Sequence, residues 1–186
     1  MGRKKPATYI VLLRGVMPSG KNRVPMAQLR EALANDGFND PRTYIQSGNV
    51  LVDTPLGPKA IEERVKTLIK KMIGPDLAVV ARTPAQMEKM LKGNPFTAQE
   101  TPRVFYTFFG GRPDKKGMAD VIARDLSPNK VVFAPGGAYL YIPGSAARSK
   151  LSNNFLEKKL GVTATTSNAN TLRALLAMAA GPDRSS

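Results

Sequence analysis

The chain contains no cysteine and no histidine. Disulfides are therefore excluded, and so are zinc sites built on those two residue types. Ser-His-Asp and Cys-His catalysis fall with them. A general acid or base would have to be Asp, Glu, Lys or Tyr. Long hydrophobic runs are missing too: nothing approaches the roughly 18 apolar residues of a membrane span. The start, Met1 to Pro6, is basic, but the apolar stretch behind it is too short for a signal-peptide core and reads as a strand. Pro6 stands where a myristoylation signal needs Ser or Thr. These absences predict a soluble cytoplasmic protein with no membrane partner, no metal and no cofactor.

Acidic residues are scarce, 14 against 28 Lys and Arg, so the net charge is +14. Such an excess favours anionic partners, a phosphate-bearing ligand or nucleic acid. The cations are spread evenly: residues 1–93 carry +8 (16 against 8) and residues 94–186 carry +6 (12 against 6). No segment forms a basic block, a distribution that solubility alone also produces. A hydrophobic fraction of 42% is enough for a real core.

Residues 8–13 (TYIVLL) read as a buried strand. Pro25 suits the first position of a helix carrying Met26, Leu29 and Leu33, and Gly37 stops it. Residues 42–46 and 49–53 read as two strands around a Ser47-Gly48 turn. Residues 59–73 form the clearest helix, with Ile61, Val65, Leu68, Ile69 and Met72 on one face. Residues 77–81 make the next strand. Thr83 and Gln86 are spaced as a capping box for a short helix. The second half repeats the order of elements without repeating residues: strand 104–109, helix 113–126 with Met118, Val121 and Ile122 inward, strands 130–134 and 138–142, helix 152–160, strand 162–166. Asn168 then caps a last helix through Ala180. Phe105, Tyr106, Phe108 and Phe109 fit core packing better than a base-stacking platform. The order predicts an α+β chain of two tandem ferredoxin-like (βαββαβ) subdomains with an extra C-terminal helix. Their bounds are residues 1–82 and 103–186, with a linker and short helix at 83–102.

Parallel first and second strands would bring the 14–22 loop beside the 46–49 turn. Together they offer Arg14, Gly15, Ser19, Lys21, Asn22, Gln46, Ser47 and Asn49, with no carboxylate. The equivalent argument in the second half brings residues 148–154, with Arg148, Ser149 and Lys150 at their head, beside residues 165–170, both stretches opening helices whose free N–H groups favour anions. Ordinary capping by Ser149 and Asn168 explains the same residues. Residues 15–22 (GVMPSGKN) nearly spell a P-loop, but Asn22 replaces the metal-binding hydroxyl residue. Arg23, Val24 and Pro25 follow, so no helix begins at Lys21.

The runs Leu12-Leu13-Arg14-Gly15, Gly20-Lys21-Asn22 and Arg42-Thr43-Tyr44-Ile45-Gln46-Ser47-Gly48-Asn49-Val50 resemble the bacterial domain of unknown function 1697 family. Asn94-Pro95-Phe96, Ser149-Lys150-Leu151-Ser152-Asn153 and the threonine-rich stretch before the last helix extend the resemblance. It implies an α+β fold of two ferredoxin-like parts and no particular activity. The family usually reads Thr-Arg-Asn-Trp-Asn-Thr where this chain has Thr166-Ser167-Asn168-Ala169-Asn170-Thr171, so a guanidinium and a stacking ring are absent from that corner.

Three roles follow. The first is a binding module for phosphorylated or nucleic-acid ligands at the 14–22 loop and the 46–49 turn. The second is an enzyme acting on an anionic small molecule, with Lys21 or Tyr44 moving the proton in a pocket beside that loop. The third is a protein-interaction module using free strand edges.

Overall fold

The computed structural model describes residues 5–46, 48–99 and 101–181. Among them are six α-helices and two four-stranded antiparallel sheets, a mixed α+β architecture. The chain divides into two compact units: Met1–Met87 together with Arg173–Ser186, and Glu88–Leu172. No described helix is long and apolar enough to cross a membrane.

In the first unit the order is β1 (Ala7–Leu13), α1 (Met26–Asn35), β2 (Asn39–Tyr44), β3 (Asn49–Thr54), α2 (Pro58–Met72) and β4 (Val79–Arg82). The strands lie in the order β2-β3-β1-β4 and every pairing is antiparallel. β3 therefore separates β1 from β2, and those two run the same way. Alternation along β1 sends Val11 and Leu13 into a core with Leu29 and Leu33 of α1 and Ile61, Val65 and Ile69 of α2. Ile10 and Leu12 point to the other face and are buried as well. The run 8–13 thus reads as continuous apolar sequence because both faces of the strand are covered.

Helix ends differ from the sequence expectation by small, explicable amounts. Pro25 is the residue before α1 rather than its first, because its ψ of 117° is extended. Met72, expected inward, is 53% exposed at the last residue of α2. Lys70 and Lys71 do sit in that last turn, where the helix dipole favours cations. α2 is tied to β4 by Glu62, which accepts the Ala81 N–H at 2.9 Å and stands 3.8 Å from Arg82. Burial pushes the Glu62 carboxyl above its ordinary value and pulls the Arg82 guanidinium below its own.

Thr83 and Gln86 form the expected capping box, with reciprocal bonds of 3.0 and 3.2 Å, at the start of α3 (Pro84–Lys92). The remaining elements are β5 (Val104–Phe109), α4 (Lys115–Ile122), β6 (Lys130–Ala134), β7 (Gly137–Tyr141), α5 (Asn153–Leu160), β8 (Ala164–Asn168) and α6 (Ala169–Ala180). The second sheet has the order β6-β7-β5-β8, again antiparallel throughout. Tyr106, Phe108 and Phe109 of its inner strand β5 are buried in the protein's interior.

α4 is shorter than its periodicity suggests. Asp114 caps it by accepting the Gly117 N–H at 2.6 Å, and it ends at Ile122, which is 64% exposed rather than inward. Val121 alone of that pair is buried. The cap of α5 is Ser152, whose hydroxyl accepts from Phe155 N–H, not Ser149. Asn168 caps α6 as expected, accepting the Thr171 N–H at 2.9 Å.

Candidate functional site

The end of β1 and the β2–β3 turn meet at one rim of the first sheet. Leu13 donates its N–H to Gly48 O at 2.8 Å, and Arg14 donates to Ala78 O at 2.9 Å. Gly48 has φ +81°, and its backbone lies hard against the loop: a Cβ there would stand 2.6 Å from Val16 Cγ2 and 2.9 Å from Leu13 Cβ. The 14–22 loop folds back on itself. Met17 donates to Asn22 O at 3.0 Å, Arg23 donates to Gly20 O at 3.1 Å, and the Asn22 side chain reaches Gly15 O at 3.4 Å. Gly15 and Gly20, at φ +81° and +77°, make the two reversals.

Ser19, Lys21, Arg23 and Gln46 are exposed on this rim, Arg14 is half-buried and Asn49 is buried. Ser47 lies outside the described residues. Among the described residues Lys21 makes no hydrogen bond or ion pair. Neither stretch carries a carboxylate. Asp76, on the approach to β4, is engaged by Lys70 at 2.8 Å and Lys66 at 3.5 Å. Those partners, Lys70 first, hold its carboxyl below the ordinary range. Asp53 is at the far end of the sheet, accepting from Thr8 at 2.7 Å and 3.9 Å from Arg42. The P-loop likeness has no counterpart in geometry. α1 begins at Met26, beyond Lys21, so helical N–H groups do not open onto the loop, and the sheet is antiparallel.

One residue of the turn is strained. Ile45 has φ +50°, a region that a β-branched side chain adopts at a cost of about 1–2 kcal/mol. Its side chain does not recover that cost by burial, since the residue is 54% exposed. Met17, across the rim in the loop, is also 54% exposed. Asn tolerates this backbone region, so Ile45→Asn is expected to stabilise the protein by about 0.5–1 kcal/mol, read as a higher urea midpoint. A lower midpoint would mean that Ile45 makes contacts worth more than its strain.

In the second half, the structure does bring the two sequence-selected stretches together. Thr166 donates to Asn153 Oδ1 at 2.6 Å and lies 2.7 Å from the Thr107 hydroxyl. Arg148 is exposed on a short 3-10 turn, and Ser149 spends its hydroxyl on the Leu151 N–H at 3.0 Å. Lys150 is exposed as well, and the Asp125 carboxyl is held low first by the Ser127 N–H, then by the Ser127 hydroxyl, with the charge of Lys150 adding to it.

Among the clefts elsewhere, two are lined by described residues. One, of about 570 Å³, runs between α1 and α2 and is lined by mixed charges, among them Asp36, Glu63, Arg64 and Lys71. Arg64 is already committed there, to Asp36 at 2.5 Å and over the Phe38 ring at 5.5 Å. The other, of about 380 Å³, lies at the rim of the second sheet and is lined by Arg112, Lys115, Met118, Phe133 and Pro135 among others. Lys21 and Tyr44 line neither.

Residues 7–141 match the family described as Protein of unknown function (DUF1697). The chain belongs to the DUF1697 family. The match spans the 14–22 loop, the 46–49 turn and the second-sheet cleft, and stops before Arg148. The conserved bacterial protein SP0830 from Streptococcus pneumoniae has a similar structure. Its TM-score is 0.75 at 22% identity, covering 94% of this chain and 99% of that one, a likeness of fold. No curated protein matches this DUF1697 chain.

The sequence reading of this DUF1697 protein missed the cleft at Arg112. The signal for it was present: the repeated element order places the β5–α4 connection beside the β6–β7 turn, as it places the 14–22 loop beside residue 48. The second-half residues chosen instead, 148–150, follow β7, at the opposite rim of the sheet, because Val104 at the start of β5 pairs with Tyr141 at the end of β7.

Proposed function

We propose that this DUF1697 protein is a binding protein for a phosphate-bearing ligand, held at the rim where the 14–22 loop meets the β2–β3 turn. The observation that carries the reading is Lys21: an exposed cation with no partner among the described residues, on the loop that leaves β1 where Leu13 bonds Gly48 of the turn. Arg14 and Arg23 add positive charge, and Ser19 and Gln46 would orient phosphate oxygens. The +14 net charge would draw such ligands in. The strand orders β2-β3-β1-β4 and β6-β7-β5-β8 support reading each half as a ferredoxin-like subdomain, residues 1–82 and 103–186, joined through 83–102. An enzymatic role for Lys21 or Tyr44 would need a concavity beside them.

The test is fluorescence anisotropy with a labelled single-stranded oligonucleotide at about 50 and about 200 mM salt. Three phosphate contacts would make the affinity fall about twentyfold across that range. Lys21→Ala is expected to weaken binding and to reduce the logarithmic salt slope by about 0.7. A thermal-shift screen of sugar phosphates on the same two proteins covers small ligands. No binding to either class, or binding that Lys21→Ala leaves unchanged, would remove this rim as the site.

A further inference from the structure

The two sheets close their rims with the same pair of backbone bonds. In the first, Leu13 donates to Gly48 O at 2.8 Å and Arg14 donates to Ala78 O at 2.9 Å. In the second, Phe109 donates to Gly136 O at 3.0 Å and Gly110 donates to Thr163 O at 2.8 Å. The connection from β5 to α4 therefore occupies the place that the 14–22 loop occupies in the first unit. What differs is its length. α1 begins only at Met26, whereas α4 begins at Lys115, directly after Asp114. The shorter connection leaves room, and the cleft of about 380 Å³ is that room.

Its lining divides by chemistry. Phe133 and Met118 are half-buried and provide an apolar wall. The Phe133 ring is backed by the buried Phe109 ring, with centroids 6.2 Å apart, so it presents a fixed flat surface. Arg112 and Lys115 are exposed at the mouth, and among the described residues neither has an ion-pair partner. The two nearby carboxylates are occupied: Asp114 accepts the Gly117 N–H at 2.6 Å, and Asp120 takes Lys116 at 3.2 Å. A volume of this size is at the small end of ligand pockets.

The geometry points to a second binding site here, distinct from the Lys21 rim, for a small aromatic anion. The flat apolar part lies on Phe133 and Met118. The carboxylate, sulfonate or phosphate group sits between Arg112 and Lys115, where charge-assisted hydrogen bonds reach it. Fully hydrated inorganic phosphate satisfies only half of this lining and binds less well.

The probe is 2-naphthoate, followed by calorimetry and by amide chemical-shift changes in the full chain. Saturable binding is expected, with shifts concentrated in residues 110–118 and 132–136. Arg112→Ala with Lys115→Ala, two exposed positions, is expected to weaken it by at least about tenfold without changing the melting temperature. The neutral analogue 2-naphthylmethanol, tested on the unaltered protein, is expected to bind at least about tenfold more weakly, which reads the charge requirement without any variant. Inorganic phosphate is expected to be weaker still. Lys21→Ala is expected to leave naphthoate binding unchanged, so this site and the Lys21 rim stand or fall separately. Absence of saturable binding, shifts located elsewhere, equal affinity for the neutral analogue, or full affinity in the double variant would each overturn the proposal.

Discussion

Gly117→Ala is expected to destabilise the protein by about 3 kcal/mol, seen as a large fall in the urea midpoint. Helix propensity alone says the reverse, a gain of about 1 kcal/mol for alanine inside a helix. The packing decides. A Cβ at position 117 would stand 2.0 Å from the Lys159 carbonyl oxygen and 2.9 Å from its carbon. Those atoms belong to the backbone of α5 and cannot rotate out of the way. α4 and α5 would have to separate, loosening the core that Val121 shares with Leu156 and Leu160. Alternatively, α4 would shift off its cap, since Asp114 Oδ2 is 3.4 Å from the same point. Amide exchange should quicken in α4 and α5 more than in α1 and α2. Gly57→Ala, at a position with nothing within 4 Å, is the control and should move stability by no more than about 0.5 kcal/mol. A Gly117→Ala protein as stable as its parent would show that the two helices part cheaply.

The second large effect is expected at Gly48, where stability and binding are joined. Gly48→Ala combines the cost of alanine at φ +81°, about 1–2 kcal/mol, with the clash against Val16 and Leu13. Overpacking of that kind costs a further 1–3 kcal/mol or so, giving a total of about 2–5 kcal/mol. Gly20→Ala separates the two terms. Gly20 has nearly the same φ, +77°, but open space around it. It should lose only about 1 kcal/mol. If the Lys21 rim binds ligand, Gly48→Ala should also weaken oligonucleotide binding by pushing the loop off the turn, while Gly20→Ala perturbs the loop tip alone. Equal destabilisation by the two substitutions would mean that the loop yields freely and that the close approach at Gly48 holds nothing in place.

Much of the fold was legible in one dimension because its signals are local. The capping box at Thr83 and Gln86, the Asn168 cap and the span of β5 need only neighbouring residues, and each is found as read. The ends of α4 were not legible. Met118, Val121 and Ile122 are all apolar, so periodicity runs on through Ile122 although only Met118 and Val121 pack against the core and Ile122 is exposed. Ser149 and Ser152 are equally good caps on paper. The chain uses Ser152 for α5 because Ser149 turns back onto Leu151. In the candidate site, the approach of the loop to the β2–β3 turn follows from element order. The strain at Ile45 does not, because no residue type announces that a β-branched side chain will be held at φ +50°.

Composition and pattern by themselves determined the exclusion of histidine and cysteine chemistry, the positive net charge and the order of strands and helices. These depend on which residues are present and on their spacing. Only the tertiary structure decided which cations remain available to a ligand. Arg64 and Lys21 are both cations, yet the fold sets one against Asp36 and leaves the other exposed, with no partner among the described residues. It also decided that the second rim, with its short β5–α4 connection, opens into a cleft. Both outcomes are matters of distance between segments remote in the chain, and distance is fixed only when the sheets and helices pack.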